Sequence, residues 1–304
     1  LALSLLVGIG TALNAPAWQA SVRAQVGRKD LPQAISLNSV AFNLARSVGP
    51  ALGGILISLW DISLAFAINA LSYIFLIVVL LRWRPDVPPP TRGAMFISIA
   101  TGVRFCVTSQ PVRKVLLRGA TIGVGCAAYQ ALLPIIVREQ IRGDEFDFGL
   151  LLGAFGIASI VSALFVGSIR RRLDSEVVIG IGSLAFAVAQ VILAVSPSLL
   201  LAMLAAFAAG AGWVFALTTL NVAMQMRSPE TILGRCLSIY QAATFGGIAI
   251  GSWFWGTIAE KSGAPVALIL AAAWLVLSLI IFRFLAPMPK KDEGIPLSQP
   301  TSAD

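Results

Sequence analysis

The sequence contains no histidine, and only 12% of its 304 residues are charged. A soluble domain carries about 25% charged residues. Without histidine there is no Ser-His-Asp catalysis, no histidine-ligated metal and no histidine proton relay. Cysteine is scarce as well. Cys106, Cys126 and Cys236 lie far apart and form no CxxC pair, so neither a zinc site nor a redox motif is indicated, and reduced thiols are expected. No G-x-x-x-x-G-K-[ST] run is present, and none of the five lysines follows a glycine, so ATP hydrolysis by this chain is excluded as a driving force. The first 22 residues are apolar but have no basic region ahead of them, which argues against a cleaved signal peptide. These absences exclude a disulfide scaffold, a disordered regulator and an ordinary cytosolic enzyme. No catalytic constellation, metal or cofactor is expected.

What is abundant is apolar sequence. Hydrophobic residues make up 58% of the chain, and the mean hydropathy is +0.88. Apolar stretches occur at 1–22, 39–59, 62–81, 115–137, 148–169, 177–195, 199–221, 237–259 and 265–286. A helix rises about 1.5 Å per residue and the hydrocarbon core is about 30 Å thick, so each stretch can span a bilayer. Strands of a membrane barrel would be about 10 residues long and alternating, which these are not. The expected class is therefore all-α, a polytopic membrane protein with nine spans and the lipid bilayer as its main partner.

The connecting segments sort by charge. One set, 23–38, 82–118, 170–176, 227–235 and 283–304, holds 18 of the 22 basic residues. The other set holds only Arg138, Arg142 and Lys261. The positive-inside rule assigns the first set to the cytoplasm. The net charge of +8 is thus spread over five short loops. A nucleic-acid face would need it clustered on one folded surface, so no nucleic-acid partner is expected.

A shift of 202 residues aligns Gly10 with Gly212, Leu31 with Leu233, Ser36 with Ser238, Gly49 with Gly251 and Gly54 with Gly256. In both copies a span, a basic loop with a proline (Pro32, Pro229) and a glycine-rich span follow in order. The repeat implies two halves. It leads to the expectation of three further helices ahead of Leu1 and twelve in total. The expected organisation is the remainder of a first six-helix bundle at 1–81, a central cytoplasmic loop at 82–114, a second six-helix bundle at 115–286 and a polar, disordered tail at 287–304. Within the loop, Met95, Phe96, Ile99, Val103, Cys106 and Val107 fall at helical spacing. That pattern fits an amphipathic helix on the membrane surface or a linker helix packed on the bundle.

Gly49-Pro50-Ala51-Leu52-Gly53-Gly54 combines a GxxxG pair with a kinking proline beside Arg46, the one charge near the middle of a span. Such an element can act as a seal or pivot between two half-molecules. Gly119/Gly123, Gly149/Gly153 and Gly247/Gly251 repeat the GxxxG spacing, and close packing alone accounts for them. Arg46 must face a cavity or a partner, because an arginine at mid-span costs about 2.5–3.5 kcal/mol on insertion scales. It reads equally as a gate or substrate contact and as a residue snorkelling to the interface.

Taken together, Asn14-Ala15-Pro16-Ala17, Leu31-Pro32-Gln33-Ala34, Asn43-Leu44-Ala45-Arg46 and the Gly49–Gly54 cluster resemble the major facilitator superfamily. Gly102-Val103-Arg104-Phe105 and Pro111-Val112-Arg113-Lys114-Val115-Leu116-Leu117 are similar to its enterobactin-exporter-like branch. The resemblance covers about 1–286. It implies the two-bundle fold, with the nine spans as family helices four to twelve. It further implies that Gly49, Pro50, Gly53 and Gly54 belong to the antiporter motif of helix five, although Ala45 stands where the fuller motif has glycine. Gly167, Arg170, Arg171 and Arg172 match the basic gating loop between helices eight and nine, without its acidic-basic pair; three arginines there also fit simple positive-inside anchoring.

By the same analogy, Asn14, Arg46, Tyr129, Gln130, Trp213, Thr218, Asn221, Tyr240 and Gln241 line or flank a central substrate cavity. Thr218, Asn221 and Gln225 form a polar stripe at i, i+3 and i+7. Hydrogen bonding between helices is the competing reading for each of these residues. The function implied is secondary transport by alternating access, favouring export of a small amphiphile (a siderophore or drug) by proton antiport. An importer or lysolipid flippase on the same fold, and a membrane receptor or scaffold that moves nothing, are the alternatives. A monomer is expected, with a small-molecule substrate and the proton as coupling ion. No carboxylate lies at mid-span to carry that proton.

Overall fold

The structure is a computed structural model. It describes residues 10, 41, 44, 45, 49, 52, 53, 56, 57, 60–82, 95–229, 232–285, 287 and 288. Eight long helices are seen in these regions, and no strand occurs among the described residues. They are α1 (Ile62–Arg82), α2 (Met95–Thr108), α3 (Gln110–Ile135), α4 (Glu145–Arg172), α5 (Ser175–Val195), α6 (Leu199–Arg227), α7 (Leu233–Ser262) and α8 (Ala264–Leu285). A π-helical turn, Ile136–Ile141, extends α3. The expected spans at 1–22 and 39–59 fall largely outside the described residues.

Helices α3 to α8 run alternately up and down, because the links between them are too short to return across a membrane. The starts of α3, α5 and α7 and the ends of α4, α6 and α8 therefore share one end of the bundle. It carries Arg113, Lys114, Arg170–Arg172, Arg227, Arg235 and Arg283, and is called the basic end below. Among the described residues, six helices are long and apolar enough to cross a membrane: α1, α3 with its π turn, α4, α5, α6 and α8. Helix α7 is long enough at 30 residues, but Gln241, Thr244 and five glycines dilute its apolar character.

Local chemistry sets where the helices begin and end. At α4 the Asp144 side chain accepts hydrogen bonds from the N–H groups of Phe146 (2.9 Å) and Asp147 (3.0 Å), and Asp147 accepts one back from Asp144 N–H (3.2 Å). This capping box satisfies otherwise unpaired donors and starts the helix three residues ahead of its apolar run. Pro111 enters α3 in the first turn, where its missing N–H costs nothing. At the far end Arg142 adopts the left-handed conformation (φ 58°) and Gly143 N–H closes onto Val137 O at 2.9 Å.

Glycine governs the packing of the bundle. Its most extensive contacts join α3 to α7, α5 to α6 and α4 to α6, while α8 lies against α5, α3 and α7. At the first seam, a Cβ on Gly123 would strike the Thr244 carbonyl, and one on Gly247 the Ala120 carbonyl. A Cβ on Gly251 would lie 2.6 Å from Val124 O, and one on Gly119 2.7 Å from Thr244 Oγ1. Gly182 and Gly212 meet across α5 and α6, and Gly210 abuts the Phe155 carbonyl of α4. Lipid tails are as apolar as leucine, so close backbone contact supplies the association energy that hydrophobic burial supplies in water. Three side-chain donors reinforce α3: Trp255 Nε1 to Val124 O (2.8 Å), Trp274 Nε1 to Thr121 O (3.1 Å) and Gln190 Nε2 to Gly125 O (2.8 Å).

Helix α2 packs on α7 and α3. Gly102 is buried, and a Cβ there would lie 3.0 Å from Arg235 Cβ. Cys106 is buried one turn later, while Ile99, Val103 and Val107 form an exposed apolar stripe beside this packed edge. Burial, reinforced by neighbouring Cys236, pushes the Cys106 thiol up to about 12.

Candidate functional site

The residues expected to line a cavity divide into two groups. Tyr129 and Trp213 sit inside the bundle, buried to 2% and 8% exposure. They form a four-ring cluster with Phe155 and Phe186, so α3, α4, α5 and α6 each contribute one aromatic. Tyr129 stacks on Phe155 at 5.7 Å and meets Phe186 edge-on at 5.6 Å. Trp213 lies 6.4 Å from both. The buried Tyr129 hydroxyl has no hydrogen-bond partner among the described residues.

The second group faces outward. On α6, Thr218 and Asn221 are partly exposed and Gln225 is exposed. Gln225 Nε2 donates to Asn221 Oδ1 at 2.7 Å. That bond fixes both amides, leaving the Asn221 NH2 and the Gln225 carbonyl oxygen to be presented together. Gln241 on α7 is partly exposed, and Gln130 on α3 is exposed. Tyr240 is itself buried, its hydroxyl donating to Leu217 O at 3.3 Å and so tying α7 to α6 next to Thr218.

Of the other expected residues, Asn14, Arg46, Pro50 and Gly54 lie outside the described residues. At Gly49 and Gly53 a Cβ would meet nothing within 4 Å among the described residues. The same holds at Gly167, Arg170 is partly buried, and Arg171 and Arg172 are exposed; Arg171 donates to Ser168 Oγ at 2.9 Å.

One cluster at the basic end was not anticipated. Arg118, counted above with the basic loop residues, is 2% exposed. Its guanidinium donates to Glu176 Oε1 (2.9 Å) and to Phe282 O (2.9 Å), and it lies 5.7 Å from the Phe282 ring centroid. Glu176 Oε2 in turn accepts the Met288 backbone N–H at 2.8 Å. Three helices and the segment after α8 therefore converge on one ion pair. In the sequence, Arg118 falls just inside the apolar run 115–137, although by charge it counts with the basic segment before it.

Comparison with known proteins identifies the machine to which these pieces belong. The family model for transmembrane secretion effectors matches residues 1–301. The chain belongs to that family. It is the enterobactin-exporter-like branch of the major facilitator superfamily that the sequence resembles. The enterobactin exporter EntS of Salmonella typhi is 26% identical over 305 residues, covering 96% of this chain and 72% of the exporter. The enterobactin exporter EntS of Escherichia coli O1:K1 / APEC is 25% identical over 294 residues, covering 92% and 69%. Among solved structures, a POT family transporter in complex with 5-aminolevulinic acid aligns with a TM-score of 0.60 at 13% identity, over 87% of this chain and 71% of that one. The fucose:proton symporter of Escherichia coli aligns with a TM-score of 0.51 at 17% identity, over 75% and 57%. These two likenesses concern the fold alone, and it is the facilitator fold.

As a member of this secretion-effector family, the protein is a multi-pass inner-membrane transporter. Its described acids, Asp61, Glu139, Asp144, Glu145, Asp147, Asp174, Glu176 and Glu260, all lie at or near helix ends or in links. The described outward-facing polar residues of α3, α6 and α7 named above are uncharged amides and a hydroxyl.

Proposed function

We propose that the protein exports a small amphiphilic molecule, of siderophore or drug-like type, by alternating access and in exchange for protons. The observation that carries this reading is the uncharged polar stripe Thr218, Asn221 and Gln225 on α6, with Gln241 on α7. A transport site should be mostly apolar with a few oriented polar groups, and the Asn221–Gln225 pair supplies a fixed donor and acceptor. An uncharged surface suits a solute held by hydrogen bonds and ring contacts and released again on the far side. The naming of the relatives as enterobactin exporters supports the outward direction and the size of the solute.

In this reading the bundle at 115–286 is one rocking half, 1–81 belongs to the other, and 82–114 is the cytoplasmic connection. Gly49, Pro50, Gly53 and Gly54 serve as the hinge, with Arg46 beside them at the gate. Tyr129 and Trp213 support the site through the ring cluster rather than by touching the solute.

The test is accumulation of enterobactin, and separately of a lipophilic cationic dye, in cells making the full-length transporter. Asn221→Ala and Gln225→Ala are each expected to cost on the order of tenfold in export, the size of one hydrogen bond to the solute. Wild-type export of every exported probe by the Asn221→Ala/Gln225→Ala double variant would remove this stripe from the site.

A further inference from the structure

The contact between Glu176 and the segment after α8 points to a control element at the basic end. Glu176 stands in the first turn of α5, which only Leu173 and Asp174 separate from the last turn of α4 with Arg170, Arg171 and Arg172. Its two carboxylate oxygens have different partners. Oε1 holds the buried Arg118 guanidinium, and Oε2 holds the Met288 backbone N–H. The Met288 side chain is itself 6% exposed and belongs to the buried core. Pro287 fixes the backbone just before it. Arg118 also donates to Phe282 O, in the last turn of α8, from which this segment leaves.

We propose that Pro287 and Met288 form a strap that docks on Glu176 and thereby holds the α4–α5 turn, with the last helical turn Arg170–Arg172 before it, in place against the bundle. The physical chain is short. A bound Met288 N–H restricts the Glu176 carboxylate to the rotamer that also meets Arg118. That fixes the first turn of α5, and the first turn fixes the chain entering it through Leu173 and Asp174. Removing the strap leaves Oε2 to water and frees the carboxylate to turn. The α4–α5 turn and the last turn of α4 then fray locally while the glycine-packed core below them stays closed. The segment after α8 would in this way set the mobility of a turn more than 100 residues away in sequence (Glu176 and Met288 are 112 apart).

Limited trypsin digestion of the full-length transporter in lipid nanodiscs tests this, with cleavage at Arg170–Arg172 followed against cleavage at Arg227 by mass spectrometry. A stop after Leu285 and the substitution Met288→Pro, which removes the donor N–H together with the buried Met288 side chain, should each speed cleavage at Arg170–Arg172 by at least about tenfold, the loss of one charge-assisted hydrogen bond. A stop after Met288 keeps the strap and should leave the rate within about twofold of wild type, less than half the free energy of that bond. Glu176→Gln removes the charge that Arg118 and the Met288 N–H share, so it should speed the same cleavage, and the stop after Leu285 should add less to it than it does to wild type. Unchanged cleavage in the strapless variants would overturn the proposal. So would equal acceleration at Arg227, which reports global loosening, or multiplication of the Glu176→Gln and truncation effects.

Discussion

Arg118 and Tyr129 are the two side chains whose environment departs furthest from their place in the sequence. Arg118 counts with the basic loop residues, yet it is buried, and its partner Glu176 is the more exposed of the two, at 21% against 2%. That difference orders the substitutions. Removing Glu176 takes the carboxylate away from a buried guanidinium, whereas removing Arg118 leaves a carboxylate that water can reach. Glu176→Ala should therefore destabilise the protein by about 3–5 kcal/mol, and Arg118→Met by clearly less. Thermal unfolding in detergent checks the order, and the reverse order would contradict it. Tyr129 gives a complementary case. Its hydroxyl is buried among three rings without a partner among the described residues, so Tyr129→Phe should change stability by less than about 1 kcal/mol, whereas Tyr129→Ala should cost about 3–5 kcal/mol through lost packing. Loss of export in Tyr129→Phe at unchanged stability would mean that the hydroxyl meets the solute after all. Neither environment was legible from sequence. Hydropathy tells how deep a residue sits in the membrane but not which way it points.

That limit has a cause at the level of the helix. In water, the apolar stripe of a helix reveals its buried face. In lipid both faces are apolar, and the signal moves to size. On α6, Leu200, Leu204 and Phe207 are exposed while Ala205, Ala206 and Ala209 are buried. The spans at 115–137, 148–169, 177–195, 199–221, 237–259 and 265–286 could be read from apolar length, and each coincides with one of α3 to α8. Their polar ends could not. Helix α6 runs on to Arg227 and α7 starts at Leu233, beyond the apolar runs, because backbone hydrogen bonding continues into the interface. The GxxxG spacing located the α3–α7 seam, with Gly119, Gly123, Gly247 and Gly251 all at close contacts, but it also flagged Gly153, where a Cβ would meet nothing within 4 Å among the described residues. This contrast makes an element-scale prediction. Gly247→Ala should cost about 1–3 kcal/mol, because the added carbon meets the Ala120 backbone, which cannot move aside as a side chain can. Gly153→Ala should be neutral or slightly stabilising, since alanine is the better helix former by about 1 kcal/mol. Equal effects of the two substitutions on thermal unfolding would contradict the packing scheme.

For the whole molecule, the sorting of charge by loop and the internal repeat carried most of the information. They pointed to a membrane protein built of two halves, the resemblance to the major facilitator superfamily implied a transporter, and the match of residues 1–301 to the secretion-effector family agrees with that reading. The site is less legible than the fold, because a polar residue in a membrane helix serves equally to join helices or to hold a solute. Tyr240 and Gln190 join helices here, whereas the Asn221–Gln225 pair presents its free groups outward. The central claim is that this fold moves a solute against a proton gradient. It is tested most directly by the full-length transporter reconstituted in proteoliposomes, with flux of enterobactin and of a lipophilic cationic dye followed after a pH gradient is imposed. Antiport predicts solute movement opposite to the proton flow, collapse of that movement by a protonophore, and its reduction by about tenfold in Asn221→Ala. Solute distribution unaffected by the gradient for both probes would contradict the claim.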